Sequence, residues 1–120
     1  MERIRKIEHQ GQQVLLVDCS DSNAEEIAEL SDQLRDVVNK EPQKSVLLLA
    51  DFSRSKLSRE TMERIKVAAV FNRPHLKRSA WVLTGNIPKP AHSTVEKFST
   101  REIPIFGTRD DALEFLVKAG

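Results

Sequence analysis

Three short apolar runs constrain the fold of this chain more than any other feature: Val14–Val17, Val46–Leu49 and Ala80–Leu83. None of them alternates between apolar and polar residues, so each indicates a strand that is buried on both faces. The stretches between the runs are long enough to hold a helix. Because strands joined by crossover helices lie parallel, with right-handed connections, the three runs predict a parallel sheet covered by helices.

Four helices are expected around these strands. Their predicted starts are a capping box from Ser22 to Glu25, an N-cap at Ser58, Pro90 in a first turn, and an N-cap at Thr108. Pro42 and Pro74 follow the first and second helices, and proline ends a helix because it lacks an N–H donor.

Two shorter strands complete the predicted sheet. Arg3–Glu8 is expected at one edge, paired with Gln13–Asp18 in a hairpin, and Glu102–Phe106 is expected at the other edge because Pro104 cannot donate to a ladder. The element order is β-β-α-β-α-β-α-β-α. The 120 residues therefore predict one α/β domain, residues 1–120, with a single mixed, mainly parallel sheet of about five strands.

Composition narrows the class of protein. No apolar run approaches the ~20 residues that a membrane helix needs, so a transmembrane protein is not expected. Cys19 is the one cysteine, which excludes an internal disulfide and favours a reducing cytoplasm. The net charge is +1, so a nucleic-acid partner held by overall charge is not expected either.

The ends of the parallel strands are the first place to look for a site, since ligands of open α/β sheets bind there. Asp18, Asp51 and Thr84 fall at such ends. The two aspartates invite comparison with a phosphoacceptor receiver domain. We reject it because the stretch between them holds only one helix, and Cys19 stands where a second carboxylate would help to bind Mg²⁺.

An enzyme would have to use Asp18, Cys19, Asp51 and Thr84 together. The position of Cys19 before a helix could lower its thiol pKa, but a small, partly buried structural residue is the simpler interpretation. No base is evident beside these groups, and the three histidines are widely spaced. We therefore expect no catalytic residue, no metal and no cofactor.

Charge is uneven along the chain. Residues 51–78 contain eight basic and three acidic residues, whereas residues 1–50 contain six basic and ten acidic residues. A basic patch of this kind meets an acidic protein or an anionic lipid, or is simply a solvated helix face. The predicted interaction surface comprises Phe52, Arg54, Lys56, Arg59, Arg64 and Lys66. Because aromatic residues are not interleaved with these bases, single-stranded nucleic acid is not expected.

Two sequence patterns resemble those of SpoIIAA-like domains of the STAS superfamily. Val46–Ser53 is similar to the strand and turn before the family's second helix, and Ile105–Leu116 is similar to its closing helix. The resemblance covers most of the chain. It implies a non-enzymatic regulatory domain that docks to another protein, and homodimers are common among such domains; the exposed edge strand Arg3–Glu8 offers one route to association.

The resemblance also implies two finer expectations. Ser58 corresponds to the family's phosphoacceptor at the start of the second helix, although Glu60, Thr61 and Met62 replace the serine-glycine core of the usual signature. The family's relation to CRAL-TRIO-like lipid-binding domains gives the alternative, a carrier or sensor of a small apolar or lipid ligand. Its pocket would lie under residues 88–98.

Overall fold

The computed structural model of the chain describes residues 3–55, 57–83, 96–97 and 103–118. Within these ranges it contains a five-stranded sheet and three helices. The strands are β1 (Ile4–His9), β2 (Gln12–Asp18), β3 (Val46–Asp51), β4 (Leu76–Val82) and β5 (Ile105–Phe106), and the helices are α1 (Ala24–Val38), α2 (Arg59–Asn72) and α3 (Arg109–Val117). A short 3₁₀ turn, Arg73–His75, joins α2 to β4.

The sheet has the predicted mixed topology. Its strand order follows the chain, β1-β2-β3-β4-β5. The β1–β2 hairpin is antiparallel, and each of the other three neighbouring pairs is parallel. The three apolar runs therefore lie side by side in one direction, as their sequence predicts. The hairpin closes through Gln10 and Gly11, whose φ angles of 50° and 78° suit a tight turn that twists with its strands.

Both faces of the sheet are covered. Leu15, Val17 and their neighbours on one face pack against α1 and α2, whereas Val14 and Leu16 on the opposite face pack against α3. Every residue of β3 is buried, which explains why its sequence does not alternate. Burying these side chains between two helical layers is the main source of stability for a fold of this kind.

The helix starts match the sequence in two cases and differ in one. Ser58 and Thr108 are the N-caps of α2 and α3, as predicted. The capping box of α1 lies one residue later than predicted and joins Asn23 to Glu26. Ser22 is instead buried, and its hydroxyl accepts a hydrogen bond from Arg3 Nη1 at 2.5 Å. A side chain from the edge of the sheet thus displaces the box by one position.

The third and fourth predicted helices have different outcomes. The helix predicted to begin at Pro90 lies outside the described residues, apart from Glu96 and Lys97, which have helical backbone. The final predicted helix is α3. The last strand contains two residues rather than five, and Pro104 accepts a hydrogen bond from the Trp81 N–H just before it begins. In the described part of the chain, no helix has the length and apolarity needed to cross a membrane.

Candidate functional site

Two loops of matching structure leave the carboxyl ends of β2 and β3. We call residues 18–22 and 51–55 the twin loops. In each, the Oδ1 atom of the first aspartate accepts hydrogen bonds from the N–H and the hydroxyl of the serine two residues later. These distances are 3.0 and 2.5 Å from Ser20 to Asp18, and 2.9 and 2.6 Å from Ser53 to Asp51. The short Asp-x-Ser sequence therefore folds each loop back on its own strand end.

Hydrogen bonds join the twin loops to each other. The Cys19 N–H donates to the Asp51 carbonyl at 2.7 Å, and the Asp21 N–H donates to the Ser53 carbonyl at 2.9 Å. The Ser55 hydroxyl also donates to the Cys19 carbonyl. The parallel pairing of β2 and β3 thus continues past their ends, which fixes Asp18 beside Asp51.

Arg109 bridges the two aspartates. Its Nε–H donates to Asp51 Oδ2 at 2.6 Å, and its Nη2 lies 3.3 Å from Asp18 Oδ2. Arg109 is the first residue of α3, where the helix dipole disfavours a positive charge. Two carboxylates within contact distance outweigh that small cost. The Asp51 side chain is only 6% exposed, so the guanidinium supplies the countercharge that a buried carboxylate requires.

The network holds its charges in the ionised state. Partial burial alone would raise the pKa of Asp18, but the two hydrogen bonds from Ser20 and the charge of Arg109 outweigh it and hold this pKa below its ordinary value. Burial likewise opposes the charge of Arg109, and the hydrogen bond and charge of Asp51 raise the guanidinium pKa in spite of it. Both residues therefore stay charged around neutral pH.

These contacts determine what the strand ends can do chemically. Both Oδ1 atoms accept two hydrogen bonds each, and both Oδ2 atoms face Arg109. A carboxylate engaged in this way is a poor general base, because accepting a proton would break the contacts that stabilise it. In the described ranges, no group of three or more His, Cys, Asp or Glu side chains is placed to hold a metal ion.

Cys19 lies between Asp18 and Ser20 but faces the core. Its side chain is buried, and burial together with the charge of Asp18 raises the pKa of its thiol to about 12. A thiol with that pKa is protonated near neutral pH and is a weak nucleophile. Thr84, the remaining member of the cluster that an enzyme would need, lies outside the described residues.

The structure separates the residues predicted to form the interaction surface. Phe52 is buried and packs edge-on against Trp81, with 5.2 Å between ring centroids, so its side chain is not part of any surface. Arg54 is exposed and forms a two-pronged ion pair with Asp21, with both N–O distances 2.8 Å. Lys56 lies outside the described residues.

The other three predicted surface residues belong to α2. Arg59 and Arg64 are exposed, and Lys66 is partly buried with its Nζ 2.8 Å from Glu63 Oε2. An ion pair between adjacent turns of one helix, such as Lys66–Glu63, contributes little to stability.

Ser58 is exposed and performs a structural task. Its hydroxyl accepts a hydrogen bond from the Thr61 N–H at 3.2 Å and shares a second hydrogen bond, 2.9 Å long, with the Thr61 hydroxyl. This is the contact that an N-cap makes with the first turn of a helix. Capping and phosphorylation would use the same oxygen atom.

An apolar strip on α2 was not predicted. Among the described residues, the exposed large hydrophobic side chains are Val67, Val70 and Phe71, with relative exposures of 50%, 41% and 49%. The guanidinium of Arg35, from α1, stacks over the Phe71 ring at 4.0 Å from its centroid. We call Val67, Val70 and Phe71 the α2 strip. Its spacing of three and four residues places all three side chains on one side of the helix.

A cavity of about 60 Å³ lies between the sheet and the layer formed by α1 and α2. Its lining is mainly apolar and includes Leu34, Ile65 and Trp81. Two polar atoms on this lining, Asn72 Oδ1 and Ser79 Oγ, are buried without a hydrogen-bond partner among the described residues. An unpaired buried polar atom costs ~1–3 kcal/mol, so a polar group that binds in the cavity would relieve that cost.

Comparison with known proteins gives no relative from which a role for these residues could be inferred. No protein-family model matches the chain, and neither a curated protein nor a solved structure matches it.

Sequence reasoning brought Asp18 and Asp51 together correctly but missed Arg109 between them. The only local signal was a basic residue next to the cap at Thr108, a position where a helix favours acidic residues. The α2 strip carried a clearer signal, because Val67, Val70 and Phe71 are apolar residues outside the buried stripe of their own helix.

Proposed function

We propose that this chain is a non-enzymatic, STAS-like regulatory domain that binds another protein through α2. The observation that carries the proposal is the α2 strip. Large apolar side chains that stay half exposed in a contiguous group mark interaction sites more often than single exposed residues do. Arg59 and Arg64 lie on the same helix and supply charge around the strip.

The composition of this surface supports a protein partner. Aromatic and arginine side chains contribute much of the binding energy in protein interfaces, and Phe71 with its stacked Arg35 combines both. The surface is basic in sum over residues 51–78, which favours a partner with acidic groups. Ser58 is exposed at the start of the same helix, where a phosphate would be stabilised by the free N–H groups of the first turn.

A non-enzymatic role is supported at the strand ends. Asp18 and Asp51 are engaged with Arg109 and with serine donors, and the thiol of Cys19 is buried and protonated. None of these groups pairs a nucleophile with a base, which nucleophilic catalysis requires. The hydrogen-bonded twin loops form the end of the sheet from which the chain leads to α2.

The test is affinity capture at low salt with two matched proteins. The first carries Arg59→Glu, Arg64→Glu and Lys66→Glu, and the control carries three reversals of the same sign at exposed positions away from α2, Arg5→Glu, Lys40→Glu and Lys44→Glu. We expect wild type and control to retain the same partner, and the α2 variant to lose it. A partner retained equally by all three proteins, or no partner retained by wild type, would contradict the proposal.

A second candidate function is supported by the cavity: carriage or sensing of a small ligand. The cavity volume of about 60 Å³ is below the ~150 Å³ of a cavity that binds benzene. A lipid chain would therefore need the helices to move apart. The ligand that fits is a small molecule with a hydroxyl or amide group that donates to Asn72 Oδ1. The region beneath residues 88–98, where the sequence predicted a pocket, lies largely outside the described residues.

Chemical-shift titration separates a ligand from bound water. Propan-1-ol and acetamide serve as probes, with Ser79→Ala and Asn72→Leu as the variants that remove the two unpaired oxygen atoms, Ser79 Oγ and Asn72 Oδ1. If the cavity takes such ligands, saturable shifts appear at Leu34, Ile65 and Trp81 in wild type and are weaker in both variants. Shifts that do not saturate, or that are unchanged in the variants, would show that the cavity holds water only.

A further inference from the structure

The cavity beneath α1 and α2 lies where both helices carry small residues on their inward sides. Ser31 is one turn before Leu34 on α1, and Ala69 is one turn after Ile65 on α2. The two large residues are buried, whereas Ser31 and Ala69 are partly exposed and line the cavity. Helical spacing places each small residue on the same side as its large neighbour. Ser31 and Ala69 are too small to fill the space above the sheet, so it stays open.

The wall of the cavity is thinnest at the same place. Among the described residues that line the cavity, Ser31, Ala68 and Ala69 are partly exposed, and the others are buried. Ser31 and Ala68 also line a surface groove of about 300 Å³ between α1 and α2. Each of these two residues therefore borders the cavity on one side and the groove on the other. A single layer of small residues separates the two spaces at this point.

The part of α2 beside this wall has few buried contacts. The buried residues of the helix are Thr61, Met62, Ile65 and Asn72, so no residue between positions 66 and 71 is buried. A segment with few buried apolar contacts opens locally at a lower free-energy cost than the rest of a fold. Local movement of α2 away from α1 would therefore widen the gap at the wall before it disturbed the sheet.

We propose that small ligands enter and leave the cavity between α1 and α2, through the wall formed by Ser31 and Ala68. The inference rests on the second candidate function, that the cavity takes a small ligand with a hydroxyl or amide group. The entrance opens into the groove, which Val67 and Phe71 of the α2 strip also line. A protein bound to the α2 strip would therefore cover the entrance. It would slow both the release of a bound ligand and the entry of a free one, which couples the two candidate functions.

Substitutions at the wall test this route. The broadening of the Leu34 and Ile65 methyl signals during titration with propan-1-ol gives the rate constants for entry and exit. Ala68→Gly thins the wall and should raise both rate constants about fivefold, and Ala68→Val should lower both by a similar factor, because the wall sets the barrier. The Kd should change by less than about twofold, since entry and exit share that barrier. Val70→Gly, which loosens the same turn of α2 at a residue that lines neither space, is the control and should leave exchange unchanged.

A covalent cover tests the link to the groove. Val67→Cys and Val70→Cys each introduce a thiol at an exposed position of the α2 strip, but only Val67 lines the groove. Fluorescein maleimide adds such a thiol across its carbon–carbon double bond, and the native Cys19 is buried. The label on Val67→Cys should slow propan-1-ol exchange at least about tenfold by obstructing the entrance, whereas the label on Val70→Cys should leave it unchanged.

The outcomes separate this inference from the function on which it rests. Saturable binding with exchange rates that neither the Ala68 variants nor labelled Val67→Cys alters would overturn the inference and leave the cavity as a ligand site with another entrance. Equal acceleration by Ala68→Gly and Val70→Gly would overturn it too, because general loosening of α2 would then explain the faster exchange. If propan-1-ol does not bind wild type saturably, both the inference and the second candidate function are wrong.

Discussion

Arg109 and Asp51 are 58 positions apart in the chain, and the Arg109 Nε–H donates to Asp51 Oδ2 at 2.6 Å. This contact ties the first turn of α3 to the end of β3. Since α3 covers the face of the sheet opposite α1 and α2, the ion pair fixes one helical layer against the loops that lead to the other. Asp18, at the end of the neighbouring strand β2, contacts the same guanidinium.

Replacing Arg109 should destabilise the fold more than a surface substitution does. Arg109→Met keeps an unbranched apolar stem but leaves the nearly buried carboxylate of Asp51 without a countercharge. We expect the free energy of unfolding, from urea denaturation, to fall by about 2 kcal/mol, reduced from the value for fully buried pairs because Arg109 is 36% exposed.

A double-mutant cycle checks the cause of that loss. If the unpaired charge is responsible, Arg109→Met with Asp51→Asn should be more stable than the sum of the two single effects implies. Strict additivity would mean that the two side chains do not interact in solution.

Only part of the network formed by Asp18, Asp51 and Arg109 could be predicted from the sequence. Asp18 and Asp51 follow apolar runs, and parallel strands place their carboxyl ends at one edge, so their proximity follows from local patterns. Arg109 reaches them only because α3 returns across the sheet after β5. That path depends on tertiary packing, and no spacing near Arg109 encodes it.

Two other differences between the predictions and the structure also have local physical causes. Both Ser22 and Asn23 are good N-caps, but the hydroxyl of Ser22 accepts a hydrogen bond from Arg3 and donates one to the Ser20 carbonyl. Phe52 lies next to a charged stretch, but the loop continues the strand for one residue and turns the ring toward Trp81. The strands and helices could be predicted because buried residues form continuous or periodic patterns in the sequence. Whether a loop residue lies on the surface or in the core could not be predicted, because loops have no such pattern.

Acid should weaken the fold partly through Asp18. The folded-state pKa of Asp18 lies below its ordinary value of 3.8, so the ionised carboxylate stabilises the fold above about pH 4. That contribution is lost as pH falls through the folded-state pKa. Asp18→Asn removes it, and the free energy of unfolding of this variant should therefore depend less on pH between 5 and 2 than that of wild type.

Urea denaturation at intervals across that pH range gives the comparison. Glu29→Gln, on the exposed side of α1, is the control and should follow the wild-type curve. Parallel curves for wild type and Asp18→Asn would show that Asp18 titrates at the same pH in the folded and unfolded chain.

Cys19 should resist modification in the folded protein. With a thiol pKa of about 12, roughly one molecule in ten thousand carries the thiolate at pH 8. Ellman's reagent should therefore react slowly with native protein, at a rate limited by opening of the structure, and rapidly once urea is added. Complete reaction of the native protein within seconds would mean that the thiol is exposed and its pKa is not raised.

Ser58 offers the sharpest separation of a structural from a regulatory role. Ser58→Ala removes the acceptor for the Thr61 N–H and should lower the free energy of unfolding by about 1 kcal/mol, whereas Ser58→Asp keeps an acceptor and adds a charge that the helix dipole favours. Wild type and Ser58→Asp should then have similar thermal midpoints, and Ser58→Ala should unfold at a lower temperature.

If Ser58→Asp also alters binding through α2 while its stability matches wild type, the charge itself regulates the surface. Equal binding by all three proteins would restrict Ser58 to its role as a cap.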